Sequence, residues 1–334
     1  MIYDQTKQSF QSNLSKLYDS QEQQSSGLKI NRPSDDTIGM QKVFDYKLTL
    51  NYNEQYKKNM DDAQSLLDST DSVLSEMTNN LQRISELMID ASNGSRGPVD
   101  RQDIAQEISV LKDELYNLSN SKLGDRYLFS GFNNRVSSYA TNANGTYSYL
   151  GDANHVKVDT SLTGQVIENV TGTDAFAISM APQSMRLDSG NFASFTSVAS
   201  SAQITMVFST SSDPSVTGYD QVSFTNYMDM VNEIVTALDT NNTERLSALQ
   251  KCVALAIDNT TSIRATVGAR LSYINSAQQT TDNSTSSTNG LLSTVQDADM
   301  TEVFSNISKS EVALQALRQT SSQILSQSLL DFLK

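Results

Sequence analysis

Apolar residues recur at alternating steps of four and three in the segment from about Gln41 to Asn93. This segment contains no glycine or proline, as is typical of an uninterrupted helix. The positions of this first seam are Ala63, Leu67, Thr70, Leu74, Met77, Leu81, Ile84, Met88 and Ala91. A heptad repeat held this long predicts a rod-like helix that packs along a partner helix.

The same spacing returns twice more along the chain. A second seam follows the glycine- and proline-containing turn at residues 93–98 and comprises Ile104, Ile108, Leu111, Leu115 and Leu118. A third seam comprises Leu246, Leu249, Val253, Ala256, Thr260, Ile263, Val267 and Ile274. Because the first two helices are joined by a short turn, they are predicted to lie antiparallel.

The pattern changes between the second and third seams. Short aromatic and β-branched runs at residues 147–149, 156–158, 204–208 and 222–224 alternate with Asn, Gly and Ser, which predicts strands. The predicted fold is therefore mainly α with an inserted β-rich domain. We expect an elongated, nested antiparallel helical bundle built from the N- and C-terminal segments. The predicted domains are a terminal one (1–40 plus 296–334), a helical rod (41–130 plus 226–295) and a β-rich outer domain (131–225).

The two ends of the chain carry weaker heptad patterns. Polar residues take several seam positions, with Gln21 and Gln24 near the N-terminus and Ser310, Ser321 and Ser328 near the C-terminus. The apolar positions proposed as an assembly and chaperone interface are Phe10, Leu14, Leu17, Leu28, Ile307, Leu314, Leu317 and Ile324. Since polar seam residues weaken a two-helix pair, we predict that both ends are disordered in the monomer and order on assembly. An ordinary intramolecular hairpin is the alternative.

Composition argues against several classes of function. A net charge of −14 opposes binding to nucleic acid or to an anionic membrane surface, and no apolar run approaches the length of a membrane span. The first residues lack the basic start and apolar stretch of a cleavable signal peptide, so export would remove nothing. The single Cys252 cannot form an internal disulfide, and we interpret it as a packing residue.

Sequence motifs for catalysis are missing as well. The single His155 cannot supply a His-Glu-x-x-His zinc motif, and the sequence has no phosphate loop or Gly-x-Ser-x-Gly motif. We therefore predict a protein that is not an enzyme and that needs no cofactor or metal.

A short polar segment separates the N-terminal helix from the rod. Pro33 restricts the backbone, Ser34 can cap a new helix, and Asp35 and Asp36 suit its positive first turn. We interpret these four residues as a hinge. Asp297 and Asp299 are placed to act similarly before the last helix. A carboxylate metal site is the alternative, but the sequence has no Asp-x-Asp-x-Asp-Gly loop.

Several motifs, in order along the chain, resemble the flagellin superfamily. They are SSGLKINRPSDD at 25–36, NNLQRISEL at 79–87, ASNG at 91–94, VGARL at 267–271 and the stretch after Asp297. Three further features resemble the hook–filament junction proteins of the hook-associated protein 3 family more than filament flagellins. These are NRPSDD at 31–36, GDRYLFSGF at 124–132 and the ending LSQSLLDFLK at 325–334.

This resemblance implies an extracellular structural subunit of the bacterial flagellum. It further implies export by the flagellar type III export apparatus with the help of an export chaperone. The implied partners are copies of the chain itself, in a ring or helical homo-oligomer, together with hook-associated protein 1 and flagellin. Two alternatives stay open: a flagellin filament subunit, and an adhesin whose β-rich segment binds glycans.

Overall fold

A computed structural model describes residues 2–178, 183–187, 189–198, 203–210, 218 and 220–332 of the 334-residue chain. Within these ranges, the side chains of residues 2–3, 197–198 and 323–332 are not described. The chain forms two compact units, one comprising Met1–Gln55 with Gln279–Lys334 and the other Tyr56–Gln278. The three-part domain division made from the sequence stays a prediction.

Helices dominate the described part of the chain. They are α1 (Ile2–Ser26), α2 (Thr37–Ala91), α3 (Pro98–Ser119), α4 (Gly172–Phe176), α5 (Tyr227–Asp239), α6 (Thr243–Gln296) and α7 (Met300–Phe332). The strands are β1 (Lys122–Leu123), β2 (Arg126–Tyr127), β3 (Tyr139–Thr141), β4 (Tyr147–Tyr149), β5 (Lys157–Asp159), β6 (Gln165–Ile167), β7 (Gln183–Arg186), β8 (Phe192–Val198), β9 (Gln203–Ser209) and β10 (Asp220–Phe224). The predicted class, mainly α with a β-rich insertion, is confirmed.

The predicted rod seams form the core of the second unit. All nine positions of the first seam are buried in α2, and the second and third seams are buried except at Leu111 and Ile263, which are partly buried. The two polar members, Thr70 and Thr260, donate their hydroxyl groups to the carbonyl oxygens one turn earlier, at 2.7 and 2.8 Å. Threonine therefore fits the seam without leaving a buried donor unpaired.

The β-rich segment is antiparallel throughout its described strands. Strands β7 to β10 form one sheet in the order β10-β9-β8-β7, and three two-stranded hairpins pair β1 with β2, β3 with β4 and β5 with β6. Successive side chains of a strand point to opposite faces of the sheet, and in β9 this places Ile204, Met206 and Phe208 in the core. The predicted strands are confirmed, with the run at 156–158 shifted by one residue to Lys157–Asp159.

Candidate assembly interface

Helices α1 and α7 pack side by side and antiparallel in the first unit. They meet where α1 ends and α7 begins, because Lys29 N–H donates to the Gln296 carbonyl at 2.7 Å and Ala298 N–H donates to the Gly27 carbonyl at 2.9 Å. Gly27 has φ +72°, a left-handed conformation that glycine adopts without strain and that ends α1 sharply. This short two-stranded crossing fixes the register of the two terminal helices.

The predicted interface residues lie along this helix pair but are incompletely buried. Leu314 is buried, and the partly buried members are Phe10, Leu14, Leu17, Leu28, Ile307 and Leu317. Ile324 lies outside the described side chains. The seam thus retains apolar surface on both helices that α1 and α7 do not cover for each other.

Polar residues interrupt the seam, but not at all the predicted positions. Ser310 is buried as expected, whereas Gln21 and Gln24 are exposed and Ser20 is buried instead. The prediction for the two glutamines was wrong because a strict seven-residue repeat drifts around a helix of 3.6 residues per turn. A groove of about 540 Å³ runs along this seam with a lining that includes Ser20 and Ser310. The pair is therefore loosely packed and polar at its centre.

The predicted hinge residues form a tight turn between α1 and α2. One Asp35 carboxylate oxygen accepts the N–H groups of Asn31 at 3.0 Å and Arg32 at 2.8 Å, and these bonds, chiefly that from Arg32, lower the pKa of Asp35. Pro33 lies within this turn. Ser34 does not cap α2, since the helix begins three residues later and its hydroxyl approaches Asp35 at 3.4 Å.

Aspartates cap the helices that follow both crossing segments. Asp36 accepts the N–H groups of Ile38 at 3.1 Å and Gly39 at 2.9 Å, so it is the N-cap of α2. Asp299 accepts the N–H of Thr301 at 2.8 Å at the start of α7. These carboxylates are used in capping, and the described residues contain no group of three or more side chains able to hold a metal ion.

One apolar surface was missed by the sequence analysis. On the first part of α2, Ile38, Phe44, Leu48 and Tyr52 are between 50% and 70% exposed. Three of them repeat at steps of four, and at 100° per residue all four share one face of the helix. We call these four residues the α2 outer stripe. Their spacing was visible in the sequence but lies before the long seam and on a different helix face.

The opposite face of the same part of α2 contacts its own chain through both apolar and polar groups. Its small apolar cluster contains Met40 and Val43 with residues of α6. Farther along, the Asn53 amide donates to the hydroxyls of Ser284 and Thr285, each at 3.2 Å. An amphipathic helix ordinarily turns its larger apolar face inward. Here large apolar residues also lie on the outward face, which is typical of an interaction surface.

The described residues offer little for catalysis. Cys252 is fully buried, and burial raises the pKa of its thiol to about 12, so it packs as predicted. His155 has the Asp174 carboxylate at 3.8 Å, with both side chains partly exposed. No helix in the described part of the chain is both long and apolar enough to span a bilayer.

Comparison with known proteins agrees with the motifs at both ends. The models of the bacterial flagellin N-terminal and C-terminal helical regions match residues 1–134 and 250–333. Flagellar hook-associated protein 3 of Salmonella typhimurium is 25% identical over 333 residues, 94% of each chain. The protein of that name from Escherichia coli is 28% identical over 179 residues, and the alignment spans 51% of this chain and 56% of that protein.

The fold is also that of a solved structure. The crystal structure of flagellar hook associated protein-3 from Legionella pneumophila superposes with a TM-score of 0.59, at 18% identity, over 75% of this chain and 98% of that one. At this identity the match concerns the fold alone. The two family models account for both helical ends, and the Salmonella alignment spans nearly the whole sequence. The chain belongs to the flagellin superfamily, with its similarity to hook-associated protein 3 extending through the β-rich segment.

Proposed function

We propose that the chain is a structural subunit of the hook–filament junction of the bacterial flagellum, and that it polymerises through its terminal helices. The observation that carries this proposal is the distribution of apolar surface in the first unit. Ile38, Phe44 and Leu48 of the α2 outer stripe are more than half exposed, although the opposite face of the same helix segment is already packed within the chain. Neighbouring copies would cover the stripe in a ring or helical array.

The terminal helices would complete their packing in the same step. Full burial of an apolar side chain is worth roughly 1.5–3 kcal/mol, and the partly buried Phe10, Leu14, Leu17 and Leu317 retain a share of that free energy. Neighbouring α1–α7 pairs in a polymer would bury this remaining surface. Because polar seam residues weaken a two-helix pair, the α1–α7 pair of a free monomer would open readily, and assembly would order both ends of the chain.

The segment from Pro33 to Asp36 would act as the hinge between the terminal helix and the rod. The caps at Asp36 and Asp299 fix where α2 and α7 begin, so changes of angle would be confined to the short segments before them. Such a joint would let the terminal helices adapt between a curved hook and a stiffer filament.

Export and partners follow from the same proposal. The chain would leave the cell through the flagellar type III export apparatus. An export chaperone would cover the C-terminal apolar positions Leu314, Leu317 and Ile324 until assembly. In the flagellum, outside the cell, the ring would contact hook-associated protein 1 on one side and flagellin on the other, with a mechanical role and no catalytic one.

A filament subunit is the second candidate, because the matched family models describe the helical regions of bacterial flagellin. Deletion of the gene separates the two functions. Cells lacking a junction protein would release monomeric flagellin into the medium and build hooks without filaments. Cells lacking the filament subunit would release no flagellin into the medium, and that result would refute the junction proposal. Restoration of filaments by the wild-type gene on a plasmid is the control.

A further inference from the structure

The second unit contains a polar cleft that the assembly proposal does not use. Its volume is about 320 Å³, and its lining combines Arg270 and Asn259 of α6 with His155 and Asp174 from the β-rich segment. Val170, which is buried, supplies part of the apolar lining. Arg270 belongs to the VGARL motif noted in the sequence.

The arginine in this cleft makes few hydrogen bonds to its own chain. Arg270 is partly buried, and burial lowers the pKa of its guanidinium. Among the described residues it makes one hydrogen bond, from Nη1 to the Asn169 carbonyl at 2.9 Å, and no carboxylate lies within ion-pair distance. A guanidinium has five N–H donors, and within the part of the chain that the structure describes no nitrogen of Arg270 is buried without a partner, so its remaining donors are open to solvent. The Asp174 carboxylate attracts the guanidinium electrostatically without forming an ion pair with it. These donors are therefore available to an anion that enters the cleft.

The walls of the cleft are held in place by side-chain hydrogen bonds. The buried Asn169 accepts from Val156 N–H at 2.8 Å and donates to the Asn154 carbonyl at 3.1 Å, which holds the segment carrying His155. The backbone carbonyl of Asn169 accepts the hydrogen bond from Arg270 and so orients its guanidinium. A ligand binding here would therefore not have to order the site, which reduces the cost of binding.

Asp174 limits which anion fits. Its carboxylate accepts the Thr171 hydroxyl at 2.7 Å and lies 3.8 Å from His155. Its negative charge therefore stays in the cleft and opposes a second one. Because the cleft contains one arginine and one aspartate, the electrostatic repulsion should be smaller for a singly charged ligand than for a dianion. The planar carboxylate group also matches the fork of a guanidinium.

We propose that this cleft binds a carboxylate group, with Arg270 as the bidentate donor and His155 as the second one. The ligand is either a small free carboxylate or the side chain of an aspartate or glutamate on a second copy of this chain. The cleft uses no residue of the α2 outer stripe or of the terminal seam.

Acetate titration of the full-length protein tests the site. In spectra of ¹⁵N-labelled protein, acetate should shift the Nε–H resonance of Arg270 saturably, and inorganic phosphate should bind more weakly. The R270K variant keeps the charge but loses the fork, and should lose saturable binding. The D174N variant should bind acetate roughly fivefold more tightly, because one repelling charge is gone. A purely structural arginine would not produce this gain. Absence of a saturable shift in the wild type, or weaker binding in D174N, would overturn the proposal.

A second measurement identifies the source of the carboxylate. Self-association of the full chain is followed by sedimentation in acetate and in chloride at equal ionic strength. If acetate weakens the association of the wild type but not of R270K, the ligand is a side chain of a second copy. If both associate equally in the two salts while acetate still binds, the ligand is a free carboxylate. Both results presuppose the binding that the titration measures.

Discussion

Replacing two members of the α2 outer stripe tests the assembly surface directly. Phe44 and Leu48 are 61% and 52% exposed. Since full burial of such side chains is worth roughly 1.5–3 kcal/mol, covering the exposed half should contribute about 1–1.5 kcal/mol each. The double variant Phe44→Ser, Leu48→Ser should therefore weaken each subunit contact by about 2–3 kcal/mol. At about 1.4 kcal/mol per tenfold change, this raises the critical concentration for polymerisation by roughly 30- to 140-fold.

The assay is sedimentation of purified full-length protein over a range of concentrations. The free energy of unfolding is measured in parallel by urea denaturation, and should change by less than about 0.5 kcal/mol per residue because both side chains point outward. Lys47→Ser is the control, since Lys47 is exposed in the same part of α2 but lies outside the stripe at 100° per residue. An unchanged critical concentration in a folded double variant would refute the interface. A loss of folding stability as large as the loss of assembly would show that the stripe packs within the chain instead.

Three further perturbations probe the core, the ion pairs and the terminal seam. Leu74→Ala should lower the free energy of unfolding by about 3 kcal/mol because Leu74 is fully buried. The control Val110→Ala, at an exposed position, should change it little. Urea denaturation measures both variants. Arg245→Met should cost roughly 2 kcal/mol at neutral pH, because the guanidinium makes two 2.6 Å hydrogen bonds to the Asp220 carboxylate. These bonds lower the pKa of Asp220. The stability that the pair contributes is therefore present above the usual pKa of an aspartate and should disappear as the pH falls through the lowered value. An equal loss of unfolding free energy in the variant at pH 2 and pH 7 would contradict this. Leu317→Asp should abolish secretion or assembly while the second unit stays folded by circular dichroism, and normal numbers of filaments in the variant strain would count against the terminal seam.

The rod was predictable because its signal is local and long. Nine seam positions in α2 repeat without a glycine or proline, and each is buried in the structure. Errors in single positions average out over such a length. The seam of α1 was less predictable because α1 is short and polar. A strict seven-residue repeat does not match 3.6 residues per turn, so the buried position is Ser20 and not the predicted Gln21.

The capping residues show a second limit. The sequence identified a polar turn with a proline and two aspartates, which is typical of a helix start. Ser34, Asp35 and Asp36 all have side chains able to cap. Only the backbone path decided that Asp36 accepts from the first turn of α2 while Asp35 accepts from the preceding turn.

The sequence by itself determined the periodicity, and with it the long helices, their buried seams and the change to strands in the middle of the chain. It also determined the motifs that identify the superfamily. Tertiary structure decided which apolar residues lie outside, because exposure depends on what packs against a helix from distant parts of the chain. The α2 outer stripe and the cleft at Arg270 both depend on such contacts. Whether a leucine or an arginine finds its partner within the chain is a property of three-dimensional packing, which sequence spacing does not contain.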